Sequence, residues 1–280
     1  MKNKILIAIL AFLTVFIESC SDEIDIRDEN QNSQLIIATK IRELSNKHIN
    51  WNVQIKANDV DWSKVAAADV GAALTAYAND GSFYTVLGEA SAASIKKYGE
   101  LESTSQNNDT GNINNINTNS ANDFDKFGYW HYQCIENVIK KPSSYLTNDV
   151  LDISKYYITT EGFLLENNVI SQNDLEGFSM ETAHQKLKYN SELFNKYGLT
   201  GGLEYQFKNG QIDELVFEVM KPYFTVMEHL VDVQEFVSYS EEAEKIIANS
   251  AIKEEHKGQI LSTMATARYG VQYWDHLINQ

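Results

Sequence analysis

The sequence predicts an all-α fold, a helical bundle in which a hairpin of small-residue helices precedes an Asn-rich linker. Three observations carry that expectation. Apolar residues recur at three- and four-residue intervals through most of the second half of the chain. Only two prolines, Pro142 and Pro222, interrupt 280 residues, which leaves long stretches free to be helical. A hydrophobic content of 43%, with 11% aromatic residues, is that of a chain that packs a core rather than one that stays disordered.

The chain opens with the three-part form of a secretory signal. Lys2 and Lys4 precede an apolar run, Ile5 to Ile17, broken only by Thr14. The run is short of the about 20 residues that a ~30 Å hydrocarbon core requires, so a cleaved signal is expected rather than a membrane span. It closes on Ile17-Glu18-Ser19-Cys20, followed by the acidic stretch Ser21-Asp22-Glu23-Ile24-Asp25. The first motif resembles the lipobox of bacterial lipoproteins, with Glu18 as a departure at its second position. The second resembles the acidic stretch that directs lipoproteins of Bacteroidetes to the outer face of the outer membrane. The resemblance implies cleavage before Cys20, acylation of Cys20, and export with Ser21, Asp22, Glu23 and Asp25 as the sorting residues. Several acyl chains on one cysteine make membrane release negligible. The expected divisions are a signal peptide over 1–19, a lipidated tether over 20–33, a helical segment over 34–102, a disordered Asn-rich linker over 103–122 and a C-terminal helical domain over 123–280.

Leu35, Ile36, Ile37, Ile41, Leu44 and His48 outline a first amphipathic helix. A second, Trp62 to Ala78, is expected to be capped by Asp59 or Asp61, and a third spans Ser82 to Tyr98. Ala68, Ala72 and Ala76 lie four apart, with Gly71 beside them and Gly88 and Ala92 on the next helix. Such spacing lets helix backbones approach closely. Asp69, Asp80, Glu89, Lys96 and Lys97 make insertion of this hairpin into a bilayer costly, so a tightly packed soluble hairpin is expected. Residues 103–122 hold eight Asn and only two large apolar side chains, Ile113 and Ile116, and should not offset their ordering entropy.

Beyond the linker, Phe127, Trp130, Cys134 and Val138 line one helix face that Pro142 stops. Ile153, Tyr157, Thr160 and Leu164 repeat the spacing, and Ala183, Leu187 and Phe194 lie in a helix that Gly198 ends. Leu203 to Phe207 reads as a short strand. In the apolar stretch Ile212 to Tyr239, Pro222 either kinks a helix or opens a second one. Ser238 and Glu241 form a capping-box pattern for the following helix. Ile260, Met264, Ala267, Val271, Trp274 and Ile278 hold one face of the last. Two segments, Phe127-Gly128-Tyr129-Trp130-His131 and Ala267-Arg268-Tyr269-Gly270-Val271-Gln272-Tyr273-Trp274, are similar to pieces of helical surface lipoproteins of Bacteroidetes. That resemblance implies location and a helical fold, and carries no catalytic residues across.

Charge narrows the function. The formal net charge is −16, and the loss of Lys2, Lys4 and Glu18 with the signal leaves −17. A polyanion repels phosphate backbones, which excludes nucleic acid as an expected partner, and the body should stand off anionic lipid beyond its anchor. With Cys20 acylated, Cys134 has no disulfide partner. Glu181 and His184 make the single Glu-x-x-His of the chain, where di-iron bundles need two, so no metal or other cofactor is expected. His131 reads as a core histidine with a satisfied hydrogen bond, rather than half of a nucleophilic pair with Cys134. His229 and His256 read as solvated acidic helix faces. The four tryptophans could form a carbohydrate platform, but the spacing of Trp130 and Trp274 favours burial. No catalytic residues are assigned. The expectation is a non-catalytic binding or interaction protein on the outer membrane, held there by acyl chains, with a protein, peptide or glycan ligand. The alternatives are a hydrolase with a dispersed site near His131 and the sequestration of a cationic antibacterial peptide.

Overall fold

The computed structural model describes residues 32–49, 62–79, 82–102, 116–141, 143, 145–147, 150–229 and 232–278. The signal, Cys20, the acidic stretch, Asp59, Asp61 and Pro142 lie outside them. Nine α-helices are present among the described residues, and they pack into an all-α bundle. These are α1 (32–48), α2 (Trp62–Asn79), α3 (Phe83–Glu102), α4 (Asp125–Ile139), α5 (Ile153–Glu166), α6 (Met180–Lys208), α7 (Glu214–Glu228), α8 (Val233–Ala248) and α9 (Glu254–Ile278). Before α5, Leu146–Thr147 pairs antiparallel with Val150–Leu151.

α1 buries Ile37, Ile41 and Leu44 at helical spacing and turns Ser45 onto α8, where its Oγ meets Tyr239 Oη at 2.8 Å. α2 and α3 form the small-residue hairpin, with Ala66, Ala72, Ala73, Ala76, Ala90 and Ala92 fully buried. Gly71 and Gly202 let the Phe194 ring of α6 sit between the helices: a methyl group at Gly71 would meet that ring at 2.2 Å. No helix among the described residues is long and apolar enough to cross a membrane. The hairpin's charges instead find protein partners. Asp69 is held within the hairpin by Ser94, and Glu89 faces Lys186 of α6 at 3.5 Å.

α9 lies at the centre. Every residue from Gly258 to Trp274 is buried, because α2, α4, α7 and α8 enclose the helix. α4 crosses it at Gly128, where a Cβ would stand 2.4 Å from the Ala265 carbonyl oxygen. The main apolar cluster takes in residues from Ile37 to Trp274, so the segments on either side of the Asn-rich stretch share one interior.

Three expectations change. The Asn-rich stretch, expected to be disordered through 122, is ordered over its end, 116–122; Asn122 is buried there because its side chain donates to Glu244 and to the Leu261 carbonyl. Residues 103–115 lie outside the described residues. Gly198 does end one helical stretch, as expected: at φ 72° and ψ −179° it breaks α6 with a kink, and a second helical stretch resumes directly after it. Leu203 to Phe207 is therefore helical, with Leu203 in the core, and not a strand. Ser238 and Glu241 lie inside α8, whose N-cap is Asp232, accepting from the Glu235 amide at 2.8 Å. Pro222 sits within α7 without ending it.

Candidate functional site

Three places gather chemistry-bearing side chains: a buried His–Asp centre, a buried arginine network and an open groove. α4 carries His131 into the space between α2, α3 and α9, where it is fully buried. Its Nε2 stands 3.7 Å from Asp69 Oδ2, beyond hydrogen-bond distance. The Ala90 main chain is the hydrogen-bonding group that faces the ring. Asp69 accepts from Ser94 Oγ and from Trp274 Nε1 at 3.2 Å. Gly270 of α9 makes the room, since a Cβ there would approach Asp69 Oδ2 at 3.1 Å.

Burial sets the proton affinities of this centre. It pushes the His131 pKa down to about 3, with the Ala90 main chain offsetting only part of the shift. It pushes the Asp69 pKa well up, against the hydrogen bonds from Ser94 and Trp274. Cys134, one turn on, is also fully buried and its thiol pKa is raised by the same desolvation. An imidazole that resists protonation is a poor general base near neutrality, and a thiol that holds its proton is a poor nucleophile.

The second cluster was not legible as a site. Arg268 on α9 is fully buried; its Nε donates to Glu244 Oε1 at 2.9 Å, and its two Nη groups reach Asp125 and the Asn117 carbonyl. Glu244 also accepts from Asn119 at 3.0 Å, Asn122 at 2.9 Å and Ser240 at 3.0 Å. Tyr269 Oη donates to Asp125 Oδ2 at 2.8 Å. Burial alone would lower the Arg268 pKa, but the Glu244 and Asp125 carboxylates raise it overall, so the guanidinium stays charged. This network is closed upon itself and is structural, fastening the chain at 116–125 to α8 and α9.

The remaining histidines divide. Glu181 and His184 are both exposed on α6, and no group of three or more His, Cys, Asp or Glu that could hold a metal ion occurs among the described residues. His229 is half-buried and closes α7 through Nδ1 and the Thr225 carbonyl at 2.8 Å. His256 is buried and meets Asp213 Oδ2 at 2.7 Å across the α7–α9 junction. Neither is the solvated acidic face expected. Trp274 is in the core, and Trp130 packs edge-on against Phe163. The exposed stacked rings are tyrosines, Tyr197 and Tyr205, with centroids 5.6 Å apart.

Among the described residues an open groove of about 650 Å³ lies between the first turns of α1 and the end of α8, lined by Ile36, Ile37 and Lys40 on one side and Glu242, Lys245 and Ile246 on the other. Fold and sites together define an acidic all-α bundle with His131 and Cys134 sealed inside and an open groove between α1 and α8. No protein-family model matches the chain, and comparisons with curated proteins and with solved structures find no match.

Proposed function

We propose that this chain is a lipoprotein of the outer membrane, anchored through Cys20 at the cell surface, that acts as a non-catalytic binding protein. The observation that carries the non-catalytic part is the burial of His131 and Cys134, each with its proton affinity moved away from what a base or nucleophile needs. It supports this reading over a hydrolase centred on His131. The anchored, surface location rests on the lipobox-like end of the signal and on the acidic residues after it. The ligand classes are those open to a surface protein: a protein, a peptide or a glycan.

The test joins location to chemistry. Intact cells expressing the wild type are treated with a protease, and the same is done with Cys20→Ala. The wild type should incorporate labelled fatty acid and be shaved from the surface, and the variant should do neither. Acyl labelling that survives Cys20→Ala overturns the anchor. Turnover of esterase, peptidase or glycosidase substrates that His131→Gln abolishes without lowering the melting temperature overturns the non-catalytic reading.

A further inference from the structure

α1 and α8 run antiparallel. Ser45 against Tyr239, and His48 beside Glu235 at 3.4 Å, join the end of α1 to the beginning of α8. At the other end the two helices splay into the groove of about 650 Å³. In the first turns of α1, Ile36, which lines the groove, is 47% exposed, and its chain neighbour Leu35 is 65% exposed. These neighbours are conspicuous because, among the described residues, the other large hydrophobics this open to solvent are Ile158 and four tyrosines. Two exposed cations flank the lip, Lys40 from α1 and Lys245 from α8. α1 carries Lys40, Arg42 and Lys47 against the single acid Glu43, in a chain whose net charge is −16. Arg42 is paired with Glu218 of α7 at 2.7 Å, and among the described residues Glu242 is the one acid lining the groove beside the two lysines. An aliphatic lip beside lysines is what a helix presents to the headgroup layer of a bilayer.

Sequence distance adds a second argument. Residues 21–31 separate Cys20 from the start of α1. At full extension they span at most roughly 40 Å. This is the end of the bundle that an anchor at Cys20 holds nearest to lipid.

We propose that the open end of the α1–α8 groove is a membrane-docking face, with Leu35 and Ile36 entering the headgroup layer and Lys40 and Lys245 meeting lipid phosphates. The proposal rests on the acylated reading of Cys20. It makes this end a local exception to the repulsion expected between an acidic body and anionic lipid.

The test uses the full acylated protein in vesicles of phosphatidylethanolamine and phosphatidylglycerol. An environment-sensitive fluorophore is attached at Ile36→Cys or, as an exposed control, at Ile158→Cys; Cys134 is buried and does not compete for label. Lipids spin-labelled near the headgroup serve as quencher. Quenching at position 36 should exceed that at position 158 several-fold, and Lys40→Glu with Lys245→Glu should lower it. Equal, solvent-like quenching at both positions on protein that floats with the vesicles overturns the docking face and leaves the anchor intact. A shift at position 36 that ignores the quencher and grows with protein density marks a second copy in the groove, and also overturns the proposal. Protein that fails to float loses the acylated reading, and the docking face falls with it because nothing then holds α1 near lipid.

Discussion

Replacing Arg268 by methionine removes the cation that joins Glu244, Asp125 and the Asn117 carbonyl, and it does so at a fully buried position. The methionine fills much of the volume, so the cost is electrostatic. Glu244, itself fully buried, is left with Ser240, Asn119 and Asn122 as donors and no counter-charge. Breaking one side of such a pair costs about 3–5 kcal/mol. Against the roughly 5–15 kcal/mol that holds an ordinary domain together, that is a fifth of the stability or more. The double variant Arg268→Met with Glu244→Gln removes both charges, and the amide still serves Ser240 and Asn122. It should recover at least about 2 kcal/mol relative to the single variant, a non-additivity expected of residues in one network. Urea unfolding followed by far-ultraviolet circular dichroism, with unchanged slopes, gives the three free energies. A cost below about 1 kcal/mol for the single variant, or strict additivity in the pair, would refute the view that a buried, coupled ion pair fastens this corner.

Three further outcomes follow from other parts of the fold. Gly128→Ala should destabilise by about 1–3 kcal/mol, because its Cβ meets backbone that cannot yield, whereas Gly162→Ala, with nothing within 4 Å, should be neutral or slightly stabilising; thermal melts showing equal effects would deny the close α4–α9 approach. His131→Leu should flatten the acid limb of the stability curve: with the folded pKa lowered to about 3, the unfolded chain binds more protons below the ordinary histidine pKa, so wild-type stability falls with pH by up to about 1.4 kcal/mol per unit. Asp69, its pKa raised, acts in the opposite sense in both chains, and parallel wild-type and variant curves from pH 7 to 4 would count against the neutral buried imidazole. Replacing residues 103–115 by a few Gly and Ser should leave helicity and melting temperature nearly unchanged, since closure entropy changes by only ~0.6 kcal/mol per doubling of loop length; carrying the deletion through Asn122 should lower the melting temperature sharply, and equal effects would show that the Asn122–Glu244 contact is dispensable.

The helices were legible where one apolar stripe faces one core, as in Ile37, Ile41 and Leu44, or Tyr157, Thr160 and Leu164. Local reading failed where geometry depends on a distant partner. Leu203-Glu204-Tyr205-Gln206-Phe207 alternates like a strand, but Gln206 turns inward to Thr75 of α2 at 2.6 Å, an interaction that only the folded bundle creates. Ser238 has the residue types of a cap, yet its hydroxyl donates back to the Gln234 carbonyl at 3.0 Å inside α8. Asn122 belongs to a segment whose composition signals disorder, and nothing in that composition points to Glu244, 122 positions later. The same limit hid the arginine network: Arg268 lies in a segment noted for resemblance alone, and its burial follows from acceptors on three separate stretches of chain. Of the His131 centre, position and burial were legible from its apolar neighbours, while the approach of Asp69 from another helix was not.

The burial of α9 bears on the order in which this molecule can assemble. The helix that fills the space between α2, α4, α7 and α8 is also the one that leaves a ribosome after all of them. Until Gly258 to Trp274 arrives, the earlier helices lack the surface they close around, and Glu244 and Asp125 lack their arginine. The leading part of the chain is thereby kept from settling early. A polypeptide delivered N-terminus first carries its keystone at the rear, and closure of the bundle waits on delivery of that last helix.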